Sequence, residues 1–329
     1  MSLTSFLQRP DVKSRFRRAG VVADGNLHLT LAVPPMSDDR TLVGLAFGGL
    51  MRLFLKRLNR IDHENTGVGP DMFSELLATS GGRNQNQVET LVAMHPFVIS
   101  TTEQYVNDGA LTEDLLRATI FLAHIERVFR STGHQLPPDW IEKEYRAEVT
   151  ELAELYQLIP SNALRARRRC VLNPSFGFAS CMVGGADADF VVDDTLIECK
   201  TTASSRLDEN SLNQVLAYYL LALLDSNANG MRLADLQRLA IYFARSGYLY
   251  SIRVDECLSE EELEKLIRWV VDEAVPDDAT RCALLPRFSY PSCRDWWLEI
   301  RGHTPGMWSD ARSITGCSPV AIRCNHPTP

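Results

Sequence analysis

Gly184-Gly185-Ala186-Asp187-Ala188-Asp189-Phe190-Val191-Val192-Asp193-Asp194-Thr195-Leu196-Ile197-Glu198-Cys199-Lys200-Thr201 holds two strand-like runs separated by the turn-favouring pair Asp193-Asp194. With that pair as a two-residue loop, cross-strand partners have numbers summing to 387, so Asp189 faces Glu198 and Asp187 faces Lys200. Alternation along a strand puts these four on one face, and directly opposed Cβ atoms stand roughly 4.5–5.5 Å apart. Two carboxylates at that separation can share a divalent ion. An exposed polar face of an ordinary hairpin is the competing reading. Against it, Phe190, Val192, Ile197 and Cys199 form an apolar opposite side able to pack on a core. Like charges directly opposed also destabilise a sheet unless a cation or proton intervenes.

Working outward, Asp139 caps a predicted helix running towards Leu158 and closed by Pro160. Strand-prone sequence follows to Val183, then the hairpin, then a helix over Glu209 to Leu224. Two further strands, Leu239 to Arg245 and Tyr248 to Asp255, are joined by Ser246-Gly247. Ser259-Glu260-Glu261-Glu262 is a capping box opening a helix that ends near Val275. Upstream, Leu27 to Val33 reads as a strand before Pro34-Pro35, Thr41 to Leu58 and Leu111 to Ser131 as helices, and Asp71 to Thr79 as a short helix among loops. The expected organisation is a mainly helical region over 1–138, an α/β core over 139–275 and an irregular extension over 276–329.

The chain has 329 residues, 45% hydrophobic and 23% charged, which is ordinary globular composition with enough apolar sequence for a sizeable core. Basic residues interrupt the first twenty positions, and the longest apolar runs are too short to span a bilayer, so a cytoplasmic protein without membrane association is expected. Eight cysteines without a CxxC pair read as reduced thiols. The net charge of −8 argues against a protein that coats nucleic acid, yet residues 1–60 carry ten Lys and Arg against four Asp. A second basic cluster, Arg165, Arg167, Arg168 and Arg169, lies just before the hairpin.

The order helix, strand, two-stranded hairpin, helix, strand resembles the αβββαβ core of the PD-(D/E)XK phosphodiesterase superfamily, the restriction-endonuclease-like fold. Asp189 followed by Glu198-Cys199-Lys200 matches its acid and acid-x-Lys elements, and Gln214-Val215-Leu216-Ala217-Tyr218 is similar to the Gln-x-x-x-Tyr pair of the RecB-like branch. The i, i+4 spacing places Gln214 and Tyr218 on one helical face. The likeness covers about a third of the chain. Many members carry a metal-binding histidine near the position of Val43 to Phe47, where this chain has Gly48 and Gly49 instead. Cys170, Cys293, Cys317 and Cys324 have the order of the cluster ligands of some relatives but not their tight spacing, and are read as free thiols.

The resemblance implies a Mg²⁺- or Mn²⁺-dependent DNA nuclease in repair, recombination or phage defence. Asp189 and Glu198 would hold the ion, with an acid of the preceding helix as a third ligand. Glu148, Glu151 and Glu154 recur at helical spacing there, and Glu151 is the choice. Lys200 would orient water and stabilise charge on phosphate, and Gln214 and Tyr218 would position water or phosphate. Arg165, Arg167, Arg168, Arg169, Arg245 and the stretch Lys13 to Arg18 are candidates for the DNA backbone, or solvated basic faces. No Walker loop is present, so unwinding would require a helicase or other partner protein. A catalytically silent nucleic-acid-binding module of the same fold, and a hydrolase acting on something other than nucleic acid, are the competing classes.

Overall fold

The computed structural model describes residues 3–19, 27–60, 85–130, 140–204, 206–224 and 236–274. The expected helix at 71–79 and the extension over 276–329 lie outside them. Helices α1 (Leu3–Gln8), α2 (Pro10–Arg18), α3 (Arg40–Asn59), α4 (Gln85–Asp108) and α5 (Glu113–Arg130) precede α6 (Arg146–Gln157). Then come β1 (Cys170–Leu172), a short α7 (Gly177–Met182), β2 (Phe190–Val192), β3 (Thr195–Lys200), α8 (Glu209–Leu224) and β4 (Arg238–Phe243). A single 3₁₀ turn leads to β5 (Tyr248–Arg253), α9 (Val254–Cys257) and α10 (Glu260–Ala274).

The five strands form one mixed sheet in chain order, with β3 and β4 parallel and every other neighbouring pair antiparallel. Phe190 pairs with Ile197, Val191 with Leu196 and Val192 with Thr195, the register expected from the two-residue turn. Asp193 takes the left-handed conformation in that turn, with φ 54°. This is a position where Asp is tolerated because its short side chain can bond locally.

Strand alternation divides the apolar residues between two cores. Val191, Leu196, Leu239, Ile241 and Phe243 face α1, α2, α8 and α10, whereas Phe190, Val192, Ile197, Ala240 and Tyr242 face α3, α4, α5 and α6. The result is a sheet covered by helices on both sides. This explains why α8 is apolar nearly all round: from Ser211 to Leu224 every residue but Gln214 is buried, between the sheet and the N-terminal and C-terminal helices. The Asp208 carboxylate accepts the Ser211 N–H at 2.8 Å and so caps its first turn. Among the described residues no helix is long and apolar enough to cross a membrane.

Three local expectations are corrected. Leu27 to Val33 forms no strand, only a single bridge between His28 and Arg206, because the Ala32 and Val33 N–H groups both donate to the Arg245 carbonyl, at 2.8 and 3.0 Å. Helix α6 begins at Arg146, since Tyr145 is left-handed at φ 49° and its hydroxyl donates to the Trp140 carbonyl at 2.7 Å. Asp187 does not face Lys200: the β2–β3 ladder ends at Phe190, and Asp187 bridges to Ser175 instead.

Candidate functional site

Where β2 leaves β3, the Glu198–Lys200 half of β3 keeps a neighbour only on its other side, the parallel strand β4. The Asp189 carboxylate fills the missing ladder position by accepting the Cys199 N–H at 2.7 Å. Asp189 is thereby fixed beside Glu198, whose side chain is buried and hydrogen-bonded to it. Burial pushes the Glu198 carboxyl up to about 8, Asp189 adds to the rise, and Lys200 partly offsets it. A cation held between the two carboxylates would remove the repulsion that contributes to this rise.

Lys200 Nζ donates to Glu198 Oε1 and to Gln214 Oε1, both at 2.7 Å. Burial works against its ammonium, but Glu198 and Asp189 outweigh burial and hold the pKa above 10.5. Gln214 Nε2 donates to the Tyr218 hydroxyl at 2.8 Å, one helical turn along α8. The Tyr218 ring stacks on Phe176 with centroids 5.7 Å apart, and burial raises its phenol. Phe176 is itself placed by Ser180, whose hydroxyl accepts the Phe176 N–H at 3.1 Å and donates to the Ala186 carbonyl at 2.5 Å. One line of hydrogen bonds therefore runs from β3 into α8, through Glu198, Lys200, Gln214 and Tyr218.

The acids open into a cavity of about 280 Å³ lined by Asp189, Glu198, Cys199, Lys200, Thr201 and Thr202 on the sheet side and by Gly44, Leu45, Gly48, Arg52 and Glu126 on the helical side. No protein-family model, curated protein or solved structure matches this chain. Glu126 and Arg52 join the site although neither belongs to a motif. Arg52 leaves a trace as a lone charge inside an apolar helical run, Leu50-Met51-Arg52-Leu53 in α3, whereas Glu126 is followed directly by Arg127 in α5 and has the look of an ordinary charged pair.

The acid of α6 expected as a ligand lies elsewhere. Glu151 is fully buried, forms an ion pair with Arg245, and accepts the Met36 and Ser37 N–H groups at 2.7 and 2.8 Å. Neither Glu151 nor its neighbours on α6 line the cavity: Glu148 accepts the Ser37 hydroxyl at 2.9 Å, and Glu154 is exposed. Arg245, expected on DNA, is 1% exposed and donates to the Thr201 carbonyl at 2.6 Å, so it is a buried structural cation. In the N-terminal stretch, Arg15 and Arg17 form ion pairs with Glu262 and Glu209. These pairs fasten α2 to α10 and α8.

Arg165, Arg167 and Arg168 are exposed and Arg169 half-buried. The N–H groups of Arg167, Arg168 and Arg169 donate to the Asp193 carboxylate at 2.7 to 3.2 Å, which pins the cluster to the hairpin turn. That is the end away from the acids, roughly 13 Å along the strand at ~3.3 Å per residue. Cys170 is a half-buried free thiol pushed up to about 12 by burial, and Cys293, Cys317 and Cys324 lie outside the described residues.

The donor set fits a hard cation in part. Among the described residues no three His, Cys, Asp or Glu groups converge on one metal position. Mg²⁺, however, dehydrates reluctantly and binds through one or two carboxylates with water and substrate phosphate completing its shell. The Asp189–Glu198 pair has the number and type of groups such an ion would need.

Proposed function

We propose that the chain is a divalent-metal-dependent deoxyribonuclease with a restriction-endonuclease-like core, similar to the RecB-like branch of the PD-(D/E)XK nucleases. The observation that carries this reading is the hydrogen-bonded line Glu198–Lys200–Gln214–Tyr218 starting from a carboxylate pair at the mouth of a cavity. Four residues from two elements, chosen by motif, form one polar chain. The element order α6, β1, β2, β3, α8, β4 is also that of the αβββαβ core, with the short α7 inserted.

Asp189 and Glu198 would hold Mg²⁺ or Mn²⁺, which when bound lowers the pKa of water and offsets charge on a phosphate. Lys200 works as an ammonium. Of its three donors Glu198 and Gln214 take two, leaving one for a phosphate oxygen or the leaving oxygen. Gln214 fixes the lysine head, and Tyr218 fixes which way the Gln214 amide points by accepting its N–H. The stacked Phe176 and Tyr218 rings exclude water behind this line. The exposed Arg165, Arg167 and Arg168 would grip flanking DNA backbone in a sequence-independent, salt-sensitive way. A cytoplasmic location, and a helicase or other partner for unwinding, belong to the same proposal.

A second reading, a silent nucleic-acid-binding module, is favoured by one observation: the α6 acid expected at the metal is consumed by Arg245. The deciding experiment incubates purified protein with linear, circular and single-stranded DNA in Mg²⁺, Mn²⁺ or EDTA, beside Lys200→Ala and Glu198→Ala. Cleavage that needs the metal and is lost in both variants supports the nuclease. Binding without cleavage selects the module, and neither binding nor cleavage sinks both.

A further inference from the structure

We infer that Arg52 is the phosphate-binding group of the cavity and that Glu126 competes with the phosphate for it. Arg52 lies on α3, eight residues after Gly44 and four after Gly48, so the three share one helical stripe along the cavity. Long side chains on a helix point back over the preceding turn, and that turn carries Gly48. A Cβ at Gly48 would meet no atom of the described residues within 4 Å, so the cavity wall beside Arg52 is open there. At Gly44 a Cβ would come within 2.9 Å of Thr201 Oγ1, and the glycine thus lets α3 approach the end of β3 closely.

Arg52 is only 9% exposed, an expensive place for a cation without full pairing. Its pairing is incomplete. Nη1 donates to Asn173 Oδ1 at 3.2 Å, Nη2 stands 3.5 Å from Glu126, longer than an ordinary hydrogen bond, and the buried Nε has no hydrogen-bond partner among the described residues. Asn173 also donates its N–H to the Asp189 carbonyl at 2.9 Å, which sets the guanidinium in register with the acid pair. A planar fork with a spare Nε–H matches two oxygens of a tetrahedral phosphate.

The choice of phosphate over another anion rests on the nuclease reading, and the charge of the cavity adds a coupling. Its lining carries Glu126, Asp189 and Glu198 against Arg52 and Lys200, so without metal it offers an anion no net positive charge. A divalent ion on the acid pair makes the lining net positive. Phosphate should therefore bind weakly without metal, more tightly with it, and Glu126 should be the carboxylate that yields.

The test measures how inorganic phosphate shifts the melting of the full-length protein in EDTA and in Mg²⁺, with chloride at matched ionic strength as control. It compares wild type with Arg52→Gln, Arg52→Lys and Glu126→Gln. The expected result is a phosphate-dependent rise in wild type that Mg²⁺ enlarges, affinity at least about tenfold lower in both Arg52 variants and higher in E126Q without metal. A wild type that does not respond to tens of millimolar phosphate overturns the inference, as do Arg52 variants that respond like wild type. The readout needs no cleavage. Loss of the nuclease reading alone would leave the phosphate response standing, and an active nuclease with an unchanged Arg52 response would remove only the role of Arg52.

Discussion

Glu151 and Arg245 form an ion pair shut away from water, with side chains 0% and 1% exposed. It ties α6 to the turn after β4, and through Glu151 it also fastens the Met36–Ser37 segment. Removing one partner leaves the other charged and buried, at a cost of about 3–5 kcal/mol. Glu151→Gln and Arg245→Met should each lower stability by that order in urea unfolding. The double change to Leu and Met should recover part of the loss. Glu151→Gln should leave Mg²⁺ affinity unchanged in the folded fraction, and a lost metal response there would return Glu151 to the site.

Glu198 makes the metal-free protein less stable as pH rises. Its folded pKa of about 8 lies above the ordinary 4.5, so between these values the native state binds more protons than the unfolded chain. Stability on this account is greatest below about 4.5 and is lost as pH climbs through about 8. Cation binding must displace that proton, so Mg²⁺ affinity should rise over the same window. Melting curves from pH 5 to 9 in EDTA should fall towards the alkaline end and flatten with Mg²⁺ or in Glu198→Gln. An equally steep fall in Glu198→Gln would assign the slope to other groups.

What could be read in advance depended on how locally each feature is encoded. The hairpin register was legible because a two-residue turn and strict alternation leave one pairing, and α8 because its motif residues sit one turn apart. The helical wall of the cavity was not. Arg52 and Glu126 come from helices separated by more than fifty residues and meet only through packing of α3 on α5. Glu148, Glu151 and Glu154 have the spacing of a solvated stripe, and nothing local reveals that the 36–37 segment covers two of them. Arg245 precedes a turn and so looked accessible, yet the Glu151 carboxylate and the Thr201 carbonyl draw its guanidinium inside.

Asp193 should be worth more than its surface position implies. Its carboxylate accepts three backbone N–H groups from Arg167 to Arg169, while its own backbone is left-handed. Partial burial opposes the charged form, but those three bonds prevail and hold the pKa below 3.8. Its contribution is present above that value and lost as pH falls through the lowered one. Asp193→Ala should cost about 1–3 kcal/mol and weaken the acid dependence, and Asp193→Asn should cost less. Unfolding midpoints at pH 7 and pH 3 measure both.

Gln214 and Tyr218 should act as one unit rather than two. Gln214→Ala frees the Lys200 head on one side and strands the Tyr218 hydroxyl, and Tyr218→Phe removes the acceptor that orients the amide while keeping the stack on Phe176. If the proposed nuclease activity is present, Lys200→Ala should lower kcat by about 10²–10⁴-fold, as expected for loss of a positioned charge. Gln214→Ala should follow with a smaller loss, and Tyr218→Phe with about tenfold, the worth of one hydrogen bond. Because both α8 changes act through the lysine head, the double variant should be little worse than Gln214→Ala alone. Full additivity of the two losses in kcat would show that tyrosine and glutamine serve separate purposes, and the single polar line from β3 to α8 would then have no joint role in the reaction.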